Sequence, residues 1–160
     1  MSLIRRFLPI FAVLLLTVAC GPGYLDAGQK VPATDENKAV FEVLKSYHEA
    51  VENRDLDALK NLISLQFHEN GGTTDDPTDD YGYDKLLQRM PMLRDNVKKL
   101  HLKLQLRAID IQGDDAEAEV HFVGTALLTE GGVDNYRTFD DINRLKLKRE
   151  DGQWKIIGGL

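Results

Sequence analysis

The chain of 160 residues contains a single cysteine, Cys20. One thiol cannot close an intramolecular disulfide, nor can it supply a multi-cysteine zinc site. The sequence also lacks a glycine-rich phosphate loop, a serine nucleophile elbow and a metal-spaced histidine cluster. Those absences remove the usual sequence signs of nucleotide, acyl-transfer and metal chemistry, and no cofactor is called for. Positive charge is in deficit: 20 Lys and Arg stand against 26 Asp and Glu, a net charge of −6. Nucleic-acid surfaces need clustered cations to neutralise phosphates, so a nucleic-acid partner is disfavoured. The hydrophobic fraction of 42% and charged fraction of 29% are those of an ordinary globular chain, and the length suits one domain.

Acidic residues are missing altogether from residues 1–19, MSLIRRFLPIFAVLLLTVA, whose only charges are Arg5 and Arg6. The uncharged run from Phe7 to Ala19 is 13 residues long. A permanent transmembrane helix needs about 20 apolar residues, so the run is too short for one. A basic start, a short apolar stretch and small residues before a cut site describe a secretory signal. Its end, Thr17-Val18-Ala19-Cys20, resembles the lipobox of bacterial lipoproteins. That resemblance implies a diacylglyceryl group on the Cys20 thiol, cleavage before Cys20 and anchoring to the bacterial membrane. Gly21 in place of Asp implies the outer membrane, facing the periplasm, if the host has one. Stable anchoring follows from two or more acyl chains, each buried CH₂ contributing about 0.8 kcal/mol. The mature chain keeps 18 basic against 26 acidic side chains, a net charge of −8. Residues 20–34 hold three Gly and two Pro with few apolar residues and read as a lipidated cysteine on a flexible tether.

A folded body is expected over 35–160. Thr34 or Asp35 suits a helix cap, and Val40, Phe41, Leu44, Tyr47, His48 and Val51 recur on one helical face. Asn53-Arg54 ends this helix, and Asp55 caps a second with Leu56, Leu59, Leu62 and Ile63 inward. Gln66-Phe67-His68 reads as a short extended segment before a polar loop. A third helix is predicted over Asp84–Lys98, kinked or split at Pro91. After Lys99 the period becomes alternating. Leu102, Leu104 and Leu106 share one side of a strand, with a phase slip at Ala108-Ile109 that predicts a bulge. Turns at Gly113–Asp115, Glu130–Gly132 and Glu150–Gly152 separate further strands, of which Tyr136–Arg149 is the third and Trp154–Ile157 the last. Helices first and an antiparallel meander after mean α+β.

Three segments in this order resemble the nuclear transport factor 2-like superfamily, which includes the SnoaL-like cyclases, ketosteroid isomerase and scytalone dehydratase. They are VLKSYHEAVENRDLDALKNLIS at 43–64, IDIQGDDAEAEVHF at 109–122 and LKLKREDGQWKIIG at 145–158. The resemblance implies a cone, with N-terminal helices packed on a curved antiparallel sheet around a pocket. It leaves the function open, because members include enzymes, binding domains and assembly domains.

The enzyme members need a base in an apolar cavity, usually a carboxylate or a histidine. His48 is the best-placed histidine, at the edge of the inward stripe of the first helix, although a half-solvated structural residue is the plainer reading. Asp141 and Asn143 share a strand face with Phe139, Leu145 and Leu147, so they face the cavity if the leucines do. An inward carboxylate is costly unless paired, which makes Asp141 a site candidate against the plainer reading of a splayed strand end. His68 lies at a loop mouth, and Tyr47, Tyr81 and Tyr83 are candidate pocket residues. His101 and His121 fall on the polar phase of their strands. The acidic run DDPTDD at 75–80 lacks the EF-hand pattern and reads as a solvated loop. The favoured reading is an envelope lipoprotein that binds a small apolar ligand in the cone or a protein partner, including a second copy, through the sheet face. The alternatives are an isomerase, dehydratase or cyclase using His48 or Asp141, and an assembly domain with a filled cone.

Overall fold

The computed structural model describes residues 23–25, 30–71 and 77–160. The export signal, Cys20 and the Asp75-Asp76 part of the acidic run lie outside the described residues.

Helix α1 spans Asp35–Asn53. Thr34 Oγ1 accepts the Asn37 amide at 3.1 Å, so a side chain satisfies one of the free donors of the first turn. The helix stops at Arg54, whose φ of 56° is left-handed. Asp55 caps α2 (Leu56–Leu62) by accepting the amides of Asp57 and Ala58 at 3.1 and 2.9 Å. Two short paired strands, β1 (His68–Glu69) and β2 (Tyr81–Gly82), precede α3 (Tyr83–Asn96). The main sheet is an antiparallel meander of β3 (Val97–Gln112), β4 (Asp115–Glu130), β5 (Val133–Glu150) and β6 (Gln153–Gly158), in that spatial order. The register slips between Leu106 and Ala108, as the change of phase predicts. No helix among the described residues is long and apolar enough to cross a membrane.

The helices pack on one face of the sheet. Val40 and Leu44 of α1 meet Leu106, Val120, Leu145, Leu147 and Ile156 of the sheet, all with 0% exposure. Each such side chain contributes roughly 1.5–3 kcal/mol by leaving water, which makes this end of the sheet the rigid floor of the fold. The result is the α+β cone, with a curved sheet around its helices.

Three expectations are corrected. The stretch ahead of α1 is not a free tether as far as Thr34. Val31 is 4% exposed in the core, and Leu25 N donates to Val31 O at 3.0 Å while Ala33 N donates to Gly23 O at 2.6 Å. The packed body therefore begins before residue 35, because Val31 is buried in the hydrophobic core. The third helix neither splits at Pro91 nor reaches Lys98. It runs through Pro91 and ends at Asn96, and Val97 already belongs to β3. The proline removes one backbone hydrogen bond, while Met90 at 8% exposure and the half-buried Leu86, Leu87 and Leu93 hold the helix on the core. The segment at Gln66–His68 is extended only from His68, because Phe67 turns into the core at 2% exposure.

Candidate functional site

A cavity of about 260 Å³ opens at the end of the cone away from the leucine floor. Helix α1 lends it Tyr47 and Val51, α3 lends Leu93, β3 lends Leu100 and Leu102, and β4 lends Phe122. Strand β5 lends Phe139, Asp141 and Asn143. The walls follow from strand register. Leu104 pairs with Phe122 and Phe122 with Asp141, while Leu102 pairs with Gly124 and Gly124 with Phe139. Strand residues two apart share a face, so Phe139, Asp141 and Asn143 lie in line with Leu145 and Leu147. Along that line exposure rises from the buried Leu145 to the half-buried Asn143 and the exposed Asp141. The carboxylate is therefore at the rim, where water meets the desolvation cost that a deeper position would impose.

Tyr47 stands edge-on to Phe122, with ring centres 6.4 Å apart and planes at 72°. Such a geometry sets the positive ring edge against the negative face. Its phenol is pushed up to about 12, first by burial and then by the neighbouring Tyr81. Gly124 clears the wall beside this pair. A Cβ there would lie 2.7 Å from Cζ of Phe139, so the Phe139 ring rests directly over the glycine.

The candidate residues do not form one site. Tyr47, Asp141 and Asn143 come together in the cone. His68, Tyr81 and Tyr83 line a separate, open depression of about 690 Å³ with Asp80 and Lys85. There His68 Nε2 lies 3.4 Å from Asp80, and Tyr81 is held between Phe67, at 6.1 Å between ring centres, and the Arg89 guanidinium, 4.3 Å from the ring.

His48 lines neither cavity. Its Nε2 donates to the Leu102 carbonyl at 2.7 Å, and Glu52 Oε1 accepts the Leu102 amide at 2.7 Å. Arg54 Nη1 donates to the Val97 carbonyl at 2.6 Å. Among the described residues strand β3 is the edge of the sheet, and these three side chains satisfy backbone groups on its outer side. His48 is thus a clasp between α1 and β3, which corrects its candidacy as a base. His101 is exposed with its Nδ1 3.7 Å from Glu52, and His121 pairs with Asp140 at 2.5 Å on the outer sheet face. Among the described residues no group of His, Cys, Asp and Glu is arranged to hold a metal ion.

Sequence reasoning missed Gly124 as a wall element, and Glu52 and Arg54 as partners of His48. A glycine inside an alternating strand marks a close backbone approach, which was the available sign for Gly124. The i,i+4 spacing of His48 and Glu52 puts both on one helix face, but nothing local says that a strand edge runs beside them.

Comparison with known proteins agrees with this architecture. No curated protein matches the sequence. Among solved structures, a conserved protein from Planctomyces limnophilus superposes with a TM-score of 0.64 at 17% identity, covering 77% of this chain and 91% of that one. A nuclear transport factor 2-like superfamily protein from Salmonella enterica gives 0.60 at 18%, covering 76% and 85% respectively. A ketosteroid isomerase-like protein from Erwinia carotovora atroseptica gives 0.62 at 15%, covering 78% and 93%. At such identities the likeness concerns the fold. The SnoaL-like domain family matches residues 40–158, nearly the whole folded body. The chain belongs to the SnoaL-like domain family, on the nuclear transport factor 2-like fold.

Proposed function

We propose that the chain is an exported, lipid-anchored binding protein whose cone takes a small, mainly apolar ligand. One observation carries the binding reading. The cavity of about 260 Å³ keeps open space among Tyr47, Phe122 and Phe139, the three aromatics that line it. That volume is roughly nine times a water molecule's share of the liquid, so the ligand is small. Apolar walls with a few placed polar groups are the usual composition of such sites. The anchor rests on Cys20 directly after the apolar export stretch.

The isomerase, dehydratase or cyclase alternative retains Asp141 only, since His48 is engaged by the Leu102 carbonyl. An exposed rim carboxylate suits ligand orientation better than proton abstraction, which gains from a dry surrounding. A second surface supports a protein partner. Tyr136 and Ile142, 72% and 52% exposed, lie on the outer sheet face, the apolar surface that a second copy of the chain would cover.

Titration with N-phenyl-1-naphthylamine, a neutral apolar fluorophore, tests the cavity. Fluorescence should rise on binding to the wild type and fall to background in Leu93→Trp, whose indole fills the space. Equal enhancement in a folded Leu93→Trp variant would place the probe elsewhere and refute the reading. For the anchor, Cys20→Ser should move the protein from the detergent phase to the aqueous phase; unchanged partitioning refutes lipidation.

A further inference from the structure

The polar groups at the cavity mouth carry one sign only. Asp141 makes no ion pair and no hydrogen bond with another described residue, whereas its neighbour Asp140, on the opposite face of the same strand, is paired with His121 at 2.5 Å. Among the described residues, no Lys, Arg or His lines the cavity. The next cation on the inner face of β5, Arg137, sits one row beyond Phe139 and is engaged by Glu130 at 3.1 Å. The walls beside the carboxylate are aromatic: Phe122 is its direct cross-strand partner, and Phe139 is two residues along on the same face.

We infer that the cone selects an organic cation: an ammonium group carried on a small apolar or aromatic body. The inference rests on the pocket reading above and adds the charge of the ligand to it. The apolar body replaces water against Leu93, Leu100, Leu102 and Phe122. The ammonium then meets the free carboxylate of Asp141 and the ring faces of Phe139 and Tyr47. Aromatic faces attract cations through the ring quadrupole, and a carboxylate at the same point adds Coulomb attraction. Asn143 presents an amide oxygen that accepts an N–H from the same group. An anionic ligand of the same shape would bring its charge to Asp141 with no cation to offset it, and a neutral one would leave both attractions unused. The mature chain's net charge of −8 raises the local concentration of cations at the mouth as well.

Isothermal titration of the mature protein with three ligands of one shape tests this. They are 1-naphthylmethylammonium, 1-naphthylmethanol and 1-naphthoate. The ammonium is expected to bind about tenfold more tightly than the alcohol, the sum of a partly exposed cation–π contact and an exposed ion pair. The naphthoate should bind most weakly. Asp141→Asn should remove the ion-pair share, cutting the ammonium's advantage to about threefold, and leave the alcohol unchanged. Asp140→Asn, which removes the same charge one residue away outside the cavity, should keep the preference. Equal affinities for ammonium and alcohol in the wild type overturn the inference and leave the apolar pocket standing. A preference that keeps its full size in Asp141→Asn, or falls as far in Asp140→Asn, assigns it to the overall charge and overturns the inference too. Binding of none of the three removes both the inference and the pocket reading.

Discussion

Replacing Gly124 by alanine isolates one contact that shapes the site. In an ordinary strand this exchange is favourable, because glycine inside a strand costs roughly 0.5–1 kcal/mol relative to alanine. Gly124 does not hold a left-handed φ, so no backbone strain enters. The space is the difficulty. A Cβ at this position lies 2.3 Å from the carbonyl oxygen of His101, and 2.7 and 2.9 Å from Cζ and Cε2 of Phe139. The ring can turn aside, but the oxygen belongs to the main chain of β3, and moving it means displacing an edge strand held by His48, Glu52 and Arg54. Overpacking of this kind costs about 1–3 kcal/mol, which outweighs the local gain from alanine. Urea denaturation of Gly124→Ala should therefore show a lower midpoint at unchanged slope, by about 1–2 kcal/mol net. For a chain of this size that is a fall in Tm of roughly 2–8 °C. The double variant Gly124→Ala/Phe139→Ala separates the two contacts. It should recover the part of the loss due to the ring and keep the part due to the backbone, a coupling that a double-mutant cycle reads directly. A Gly124→Ala variant as stable as the wild type would refute the close approach of β3 to β4 on which the cavity wall depends.

The remaining predictions concern the edge clasp and the buried phenol. Glu52→Ala leaves the Leu102 amide without its acceptor and should cost about 1–3 kcal/mol by urea denaturation. Concentration-dependent scattering should accompany it as the β3 edge is uncovered, whereas Glu52→Gln, which keeps an acceptor, should show less of both. For Tyr47 the folded phenol titrates at about 12 against 10.0 unfolded, so the neutral form is the one the fold favours. Its contribution is complete below pH 10 and is lost as pH rises through about 12, a loss of at most about 3 kcal/mol. Tyr47→Phe should be free of that alkaline loss, and tyrosinate absorbance should lose its last titrating step; an unchanged titration curve would place the late phenol elsewhere.

Much of the architecture was legible because it rests on local signals. Thr34 and Asp55 announce two helix starts, Arg54 sits where the first helix stops, and the alternation from Leu102 onward is a strand in any context. The bulge near Ala108 was legible for the same reason, since one residue of slip inverts the pattern. What could not be read depends on elements distant in sequence. His48 lies near the apolar stripe of α1, and helical periodicity alone cannot tell a cavity from a strand edge 54 residues away. His68 and Tyr81 lie in two-residue strands and Tyr83 at the first position of α3, too short or too near an end for a period to constrain direction, and they gather at a depression apart from the cone. Pro91 carries a strong local cost, which the packing of Met90 and its neighbours overrides.

The position of the site follows from a mismatch of lengths. Strands β3, β4 and β5 run for 16, 16 and 18 residues, about 53–60 Å at 3.3 Å each, while α1 has 19 residues and α3 has 14, about 28 and 21 Å at 1.5 Å each. The helices therefore cannot cover the whole inner face. Where they cover it, the inward positions of β5 are Leu145 and Leu147, fully buried. Beyond them the same face continues with Asn143, Asp141 and Phe139, and among the described residues the helices border that cavity with Tyr47 and Val51 of α1 and Leu93 of α3. An apolar residue at 141 would leave a bare greasy mouth, prone to association with other chains. A carboxylate keeps the mouth wet and gives it a sign. The change from leucine to aspartate along one face of one strand thus marks the boundary between the part of the cone that holds the fold together and the part that stays open as a cavity.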